Sequence, residues 1–190
     1  MKKRMNRYVQ ASAVTQALIA GPLLLGFAAP ANAEVTVGGA PMYASKDIMD
    51  NAVNSKDHTT LVAAVQAAGL VETLKGPGPF TVFAPVNAAF AALPPGTVDT
   101  LLKPENKAML TKVLTLHVVP GKLDAVALTG MMQAGKAMLQ TIEGESLTAT
   151  APSGVVTLTD PNGGIAHVTT PNVIQSNGVV HVVDRVLLPG

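Results

Sequence analysis

The sequence predicts an α+β fold in a single domain, and three observations predict it. Helical periodicity fills the first half of the chain after residue 45, short alternating runs fill the second half, and no repeat or charge block separates the two. A length of 190 residues suits one domain with a substantial core. The chain has no cysteine and only 3% aromatic residues, so that core must be built from Val, Leu, Ile, Ala and Met, without disulfides or thiolate chemistry.

The first 33 residues follow a different grammar. The basic cluster MKKRMNR precedes an apolar stretch from about Ala17 to Ala29, and Ala31-Asn32-Ala33 supplies a small-x-small cleavage site. This is the layout of a secretory signal peptide, and the apolar run is too short, and too broken by Gly21-Pro22, for a membrane span. Residues 1–33 are therefore read as a signal peptide and the mature chain as exported, periplasmic or extracellular, with no membrane span after cleavage. Cleavage removes Lys2, Lys3, Arg4 and Arg7, leaving nine basic residues against twelve acidic ones, a formal charge of −3. Without a basic stripe the mature chain is not expected to bind nucleic acid.

Residues 34–43 read as a flexible leader and 44–190 as the domain. KDIMDNAV places Ile48, Met49 and Val53 on one side of a first helix. TTLVAAVQAAGL places Leu61, Val62, Val65 and Ala68 on one face of a second, with Thr59 or Thr60 as its cap and Gly69 as its end. GTVDTLLKP is a short helix broken by Pro104. PENKAMLTKVLTLH is another, opening on that proline and turning Met109, Leu110, Val113, Leu114 and Leu116 inward. From Glu145 the period becomes that of strands. Turn signals fall at Pro152-Ser153-Gly154, at Asp160-Pro161-Asn162-Gly163-Gly164 and at Asn177-Gly178, the last being a hairpin signal because both residues tolerate positive φ.

Between the two halves, GPFTVFAPVNAAFAAL changes from strand to helix with no polar loop. Phe80-Thr81-Val82-Phe83 suits a strand, Pro85 ends its ladder, and Phe90 and Leu93 lie on one helix face. Asn87 is the side chain able to accept from that helix's first free N–H groups, so it is expected to act as a structural cap.

GPFTVFAPVNAAFAAL, LTLHVVPGKL and SNGVVHVVDRVLLP, in that order, resemble the two end motifs and the central histidine motif of the fasciclin-type adhesion domain. The likeness runs from about Ala44 to Pro189. It implies an antiparallel β-wedge with helices packed against it, and a role in adhesion without catalysis. In the family pattern a threonine follows Ala-Pro, and here that position is Val86. His117 falls at the family's Tyr-His or Leu-His position, with Leu116 where animal members with an integrin-contacting stretch have Tyr. An integrin-type Asp-Ile motif in animal members corresponds here to Asn172-Val173, which lacks the acid, so that role is not carried over.

His117 lies among Leu114, Leu116, Val118 and Val119 and is expected to be a buried, hydrogen-bonded structural residue. His58, His167 and His181 show no metal-ligand spacing, and Met131, Met132 and Met138 form no regular array, so no metal or other cofactor is expected. No G-x-S-x-G, G-x-G-x-x-G or Walker sequence appears, and the reading is not an enzyme. Two functions remain. One is an interaction module for a cell-surface or matrix component. The other is a carrier of an apolar small molecule: a chain that is 48% hydrophobic and poor in charge leaves apolar surface for one, and the resemblance implies a pigment-like or lipid-like ligand.

Overall fold

The computed structural model describes residues 35–132 and 135–190. The signal-peptide reading of residues 1–33 lies outside them. Among the described residues seven α-helices and nine strands follow in order, and helices dominate up to residue 131 as the periodicity predicts.

Strands β1 (Val35–Val37) and β2 (Ala40–Met42) form a hairpin closed by Gly38-Gly39, both at positive φ. The expected flexible leader is therefore an ordered part of the fold. Two glycines in the left-handed region make the tight turn that matches strand twist, and Val37, Ala40 and Met42 are buried against Val173 and Val182.

Helices α1 (Ile48–Ala52), α2 (Thr59–Ala68) and α3 (Val71–Lys75) come next. Asp47 caps α1 by accepting from the Asp50 N–H (2.7 Å). Gly69 ends α2 at φ 75°, as its place in the sequence suggests. Ile48 and Met49 are buried, but Val53, the last residue of the turn with its N–H on the Met49 carbonyl, is 54% exposed where the helix runs out into solvent beside Asn54. Strand β3 (Phe80–Pro85) then runs into α4 (Asn87–Ala91), followed by α5 (Thr97–Leu101), α6 (Lys107–Leu116) and β4 (Val118–Pro120). Leu110, Val113, Leu114 and Leu116 face inward from α6, while Met109 is half exposed on its outer side.

After α7 (Ala125–Met131) come β5 (Lys136–Gln140), β6 (Ser146–Thr150), β7 (Thr157–Thr159), β8 (Ile165–Gln175) and β9 (Gly178–Val183). The order in the seven-stranded sheet is β4-β3-β9-β8-β7-β6-β5, antiparallel except for the β3–β9 pair, which is parallel. The sheet curls until its two ends meet: just beyond β5 the Ile142 N–H donates to the Val118 carbonyl of β4 (2.8 Å).

Two cores result. Val82 and Ala84 of β3 pack with the helices α1, α2, α3, α4 and α6. Phe83 faces the other way, into the curl of the sheet, with Leu139, Leu147, Leu158, Val183 and Leu128 of α7. Both faces of β3 are thus covered, which explains its continuous apolar run from Val82 to Pro85.

Asn177-Gly178 does mark the β8–β9 hairpin, but positive φ is not its reason, since neither residue adopts it. A Cβ at position 178 would run into the Phe80 carbonyl, and one at Gly78 into the Asn177 carbonyl. These glycines let β3 and β9 approach. Gly178→Ala is expected to lower stability by at least about 2 kcal/mol, because backbone on both sides must shift. Gly144→Ala, in an open turn at φ 103°, serves as a control carrying backbone strain alone, and urea melts that ranked it the costlier change would refute the packing explanation.

Candidate functional site

Asn87 does not cap its own helix. The cap position of α4 is Val86, which has no side-chain oxygen, and Asn87 is the first helical residue. Its side chain crosses instead to the start of α2. Its Oδ1 accepts from the Thr60 N–H (3.0 Å) and the Thr59 hydroxyl (3.2 Å), and its Nδ2 donates to the Lys56 carbonyl (2.8 Å). One amide thereby satisfies a free N–H at the head of α2 and fixes α2 to the strand–helix junction.

Asn177 works in the same manner. Its Oδ1 accepts from the Ile48 N–H at the head of α1 (3.1 Å), while Nδ2 donates to the Leu74 (2.7 Å) and Gly76 (3.2 Å) carbonyls at the end of α3. Gly178, beside it, makes the close strand approach. Asn51 and Gln175, which sequence reasoning missed, form a third buried link. Asn51 bonds the Tyr43 backbone through both side-chain atoms and donates to Gln175 Oε1.

His117 is buried at the C-terminal end of α6. The Leu187 N–H donates to Nε2 (3.0 Å), so the ring proton sits on Nδ1 and is donated to the Val113 carbonyl (2.7 Å). A second proton on Nε2 would face an N–H. Burial lowers the pKa of His117 to about 4, outweighing the upward effects of the Val113 carbonyl and Asp160.

His181 is buried too. Its ring stacks on Phe83 with centroids 5.6 Å apart, and its Nε2 meets the Leu123 carbonyl (2.7 Å). His58 pairs with the Ser55 hydroxyl through Nδ1 (2.9 Å). Burial lowers both pKa values. The Ala84 carbonyl opposes the shift at His58, and among the described residues Nε2 has no hydrogen-bond partner. His167 stands apart on the surface, with Nδ1 3.0 Å from Asp184 Oδ2.

Asn172 and Val173 are both committed to structure. Asn172 sits at φ 60° and its Oδ1 accepts from the Ala125 N–H at the head of α7 (2.7 Å), while Val173 is buried. A further structural residue, Asp160, had a signal in Asp-Pro-Asn-Gly-Gly, a turn in which Asp bonds its own backbone. Its carboxylate accepts from the Asn162, Gly164 and Leu188 N–H groups at 2.7–3.0 Å, tying the segment after β9 to the β7–β8 turn. Met131 and Met138 are exposed. Met132 packs against the core inside the sheet.

A cavity of about 60 Å³ lies between the helices and the sheet. Its wall carries no charged side chain and runs from Val37 and Met42 of the hairpin, across Met49 and Val65, to Val118 and Ile142 where the sheet ends meet.

A fasciclin domain pattern matches residues 56–189. The chain belongs to the fasciclin family. It is 49% identical over 142 residues to the Synechocystis protein sll1483, covering 75% of this chain and 73% of that one. It is 36% identical over 143 residues to the immunogenic protein MPB70 of Mycobacterium bovis, covering 73% of this chain and 66% of that protein. A solved fasciclin domain pair from the insect cell adhesion molecule Fasciclin I matches with a TM-score of 0.67 at 17% identity, a likeness of fold. The match covers 75% of this chain and 51% of that one, so the chain spans about half of the pair. The α+β fasciclin fold expected from the three motifs is the fold observed.

Two outcomes test the polar framework. Asn87→Ala is expected to cost about 1–2 kcal/mol and to speed amide exchange at Thr60, in α2 rather than α4. Val86→Thr in that background should not restore the loss, and recovery with protection returning in α4 would return the cap to its own helix.

For His117 the pH dependence follows from the depressed folded pKa. Above pH 6.5 the ring is neutral in both states and its contribution is complete. Between 6.5 and about 4 the unfolded chain takes up a proton that the folded chain refuses, so stability falls as pH drops, by about 3 kcal/mol in all. Urea melts at pH 7.5 and 4.5 should show a smaller fall for His117→Gln than for the wild type. Equal falls would mean that His117 does not carry this dependence.

Proposed function

We propose that this fasciclin-family protein is an exported, non-enzymatic interaction module that adheres to a cell-surface or matrix component. Membership of the family across residues 56–189 is the observation that carries the reading. Two relatives support it by name: one is a cell surface glycolipoprotein of Mycobacterium bovis, 32% identical over 157 residues, and the other is the insect cell adhesion molecule. Among the described residues no helix is long and apolar enough to cross a membrane.

The polar groups that might suggest chemistry hold the fold together instead. His117 and His181 are spent on backbone partners, and His181 and Asp184 do not meet: Asp184 pairs with His167. Adhesion on this reading avoids Asn172-Val173, because Val173 is buried and the Asn172 amide is held by the Ala125 N–H. The carrier alternative meets a limit of size. A cavity of about 60 Å³ is well below the roughly 150 Å³ that holds a benzene molecule, so a pigment does not fit inside the closed fold.

The test is direct. Surfaces coated with the folded mature chain should retain cells of the native host above an albumin-coated control, and Asn172→Asp should retain them equally. Failure of the wild-type coat to retain cells or isolated matrix material would overturn the adhesion reading.

A further inference from the structure

Side chains alternate along β5 to β8, so Leu139, Leu147, Leu158 and Ala166 point into the curl of the sheet while their neighbours point to solvent. The register sets the outward residues in two rows across these four adjacent strands. One row runs Met138–Thr148–Thr159–Ile165 and the other Lys136–Thr150–Thr157–His167.

Met138 is 63% and Ile165 46% exposed, so the first row is apolar at both ends with two threonines between. Single exposed apolar side chains are ordinary, but these two stand at equal distances from the line between β6 and β7. The second row has opposite charges at its two ends. Lys136, on β5, has no ion-pair partner among the described residues. At the β8 end the Asp184 carboxylate sits beside His167, with Oδ2 3.0 Å from the ring Nδ1. Only threonine lies between those ends.

Such a pattern complements itself. A two-fold axis lying along the strands, between β6 and β7, exchanges β5 with β8. It sets Met138 against the partner's Ile165, threonine against threonine, and Lys136 against the partner's Asp184, with every contact made twice. An axis across the strands, along the first row, would put Met138 against its own copy and Lys136 opposite the partner's Gln140, with no opposite charge.

We infer that the outer face of β5–β8 is a self-association surface, on which two copies of the mature chain pair face to face about the axis between β6 and β7. The face is three strand spacings wide, about 15 Å, and its rows lie about 7 Å apart. The contact therefore falls short of the roughly 1,200 Å² that stable complexes bury, and the dimer is weak and reversible. The lysine–aspartate contacts fix its orientation more than its strength. Adhesion is not a premise here, because the pairing concerns the protein alone in solution, with no cells or matrix present.

The chain has no cysteine, so introduced thiols report without interference. Met138→Cys mixed with Ile165→Cys should form a mixed disulfide dimer under oxygen at least several-fold faster than either variant couples to itself. A mixed rate no greater than the rate of either variant alone would overturn the inference.

Charge exchange supplies a second arm. In sedimentation runs the wild-type mature chain should dimerise reversibly as its concentration rises. Lys136→Glu and Asp184→Lys should each lower the dimer fraction several-fold, because like charges then face each other twice. An equal mixture of the two folded variants should recover it, since the two introduced charges then meet and the native pair is kept once. A wild-type chain that stays monomeric at millimolar concentration, or a mixture that recovers nothing, refutes the pairing. Should Asp184→Lys fail to melt cooperatively, the thiol pair decides alone.

Discussion

Where β3 meets β9 the two backbones lie so close that no side-chain carbon fits between them, and the rest of the architecture is arranged around that contact. Parallel neighbours cannot be joined by a tight turn, so everything from α4 to β8 forms the connection between these two strands. Gly78 and Gly178 allow the contact because a side-chain carbon at either position would collide with the facing backbone. Next to it, Asn177 reaches out of the sheet to the head of α1 and the end of α3. The strand contact and the attachment of the helices are therefore set at one place. The close approach and the amide bridge depend on each other's register, since a one-residue slip of β9 would turn its inward side chains to the other face.

The interior is held in order by a few neutral polar groups more than by charge. Three amide side chains (Asn51, Asn87 and Asn177) and two imidazoles (His117 and His181) join segments distant in sequence, and most of these groups use donor and acceptor together. In a core with few aromatic rings, aliphatic packing tolerates many arrangements of similar volume, whereas a hydrogen bond missed by an ångström is lost. The polar links select one arrangement among them. Ion pairs contribute little to this selection: Lys75–Asp50 and Lys103–Glu105, for example, lie at the solvent surface, where such pairs are weak.

How much of this was legible in the sequence depended on the range of the interaction. Features set by a residue and its immediate neighbours were readable: Gly69 as a helix end, Pro85 as a strand end, and the inward face of α6 apart from Met109. The partners of polar side chains were not. The identity of Asn87 announces a cap, but which helix it serves depends on where α2 arrives in space. Asn177-Gly178 likewise announces a hairpin, while the demand for glycine comes from β3, distant in the chain. The β1–β2 hairpin had its signal in the alternation of Val35-Thr36-Val37 before Gly38-Gly39, masked by its position beside an apparent leader. His117 was readable as buried because all its neighbours are apolar. Its tautomer was not, since Leu187 decides it.

The position of β9 in the middle of the sheet has a mechanical meaning. A strand at the edge of a sheet can be unzipped one hydrogen bond at a time by a force applied to its end. β9 lies between β3 and β8, so tension arriving through the segment beyond Val183 pulls along a strand bonded on both sides. That load is shared by many bonds at once, as shear. The bonds from the Leu188 N–H to Asp160 and from the Leu187 N–H to His117 lie ahead of it, so a pull from that side strains these anchors before it reaches the sheet.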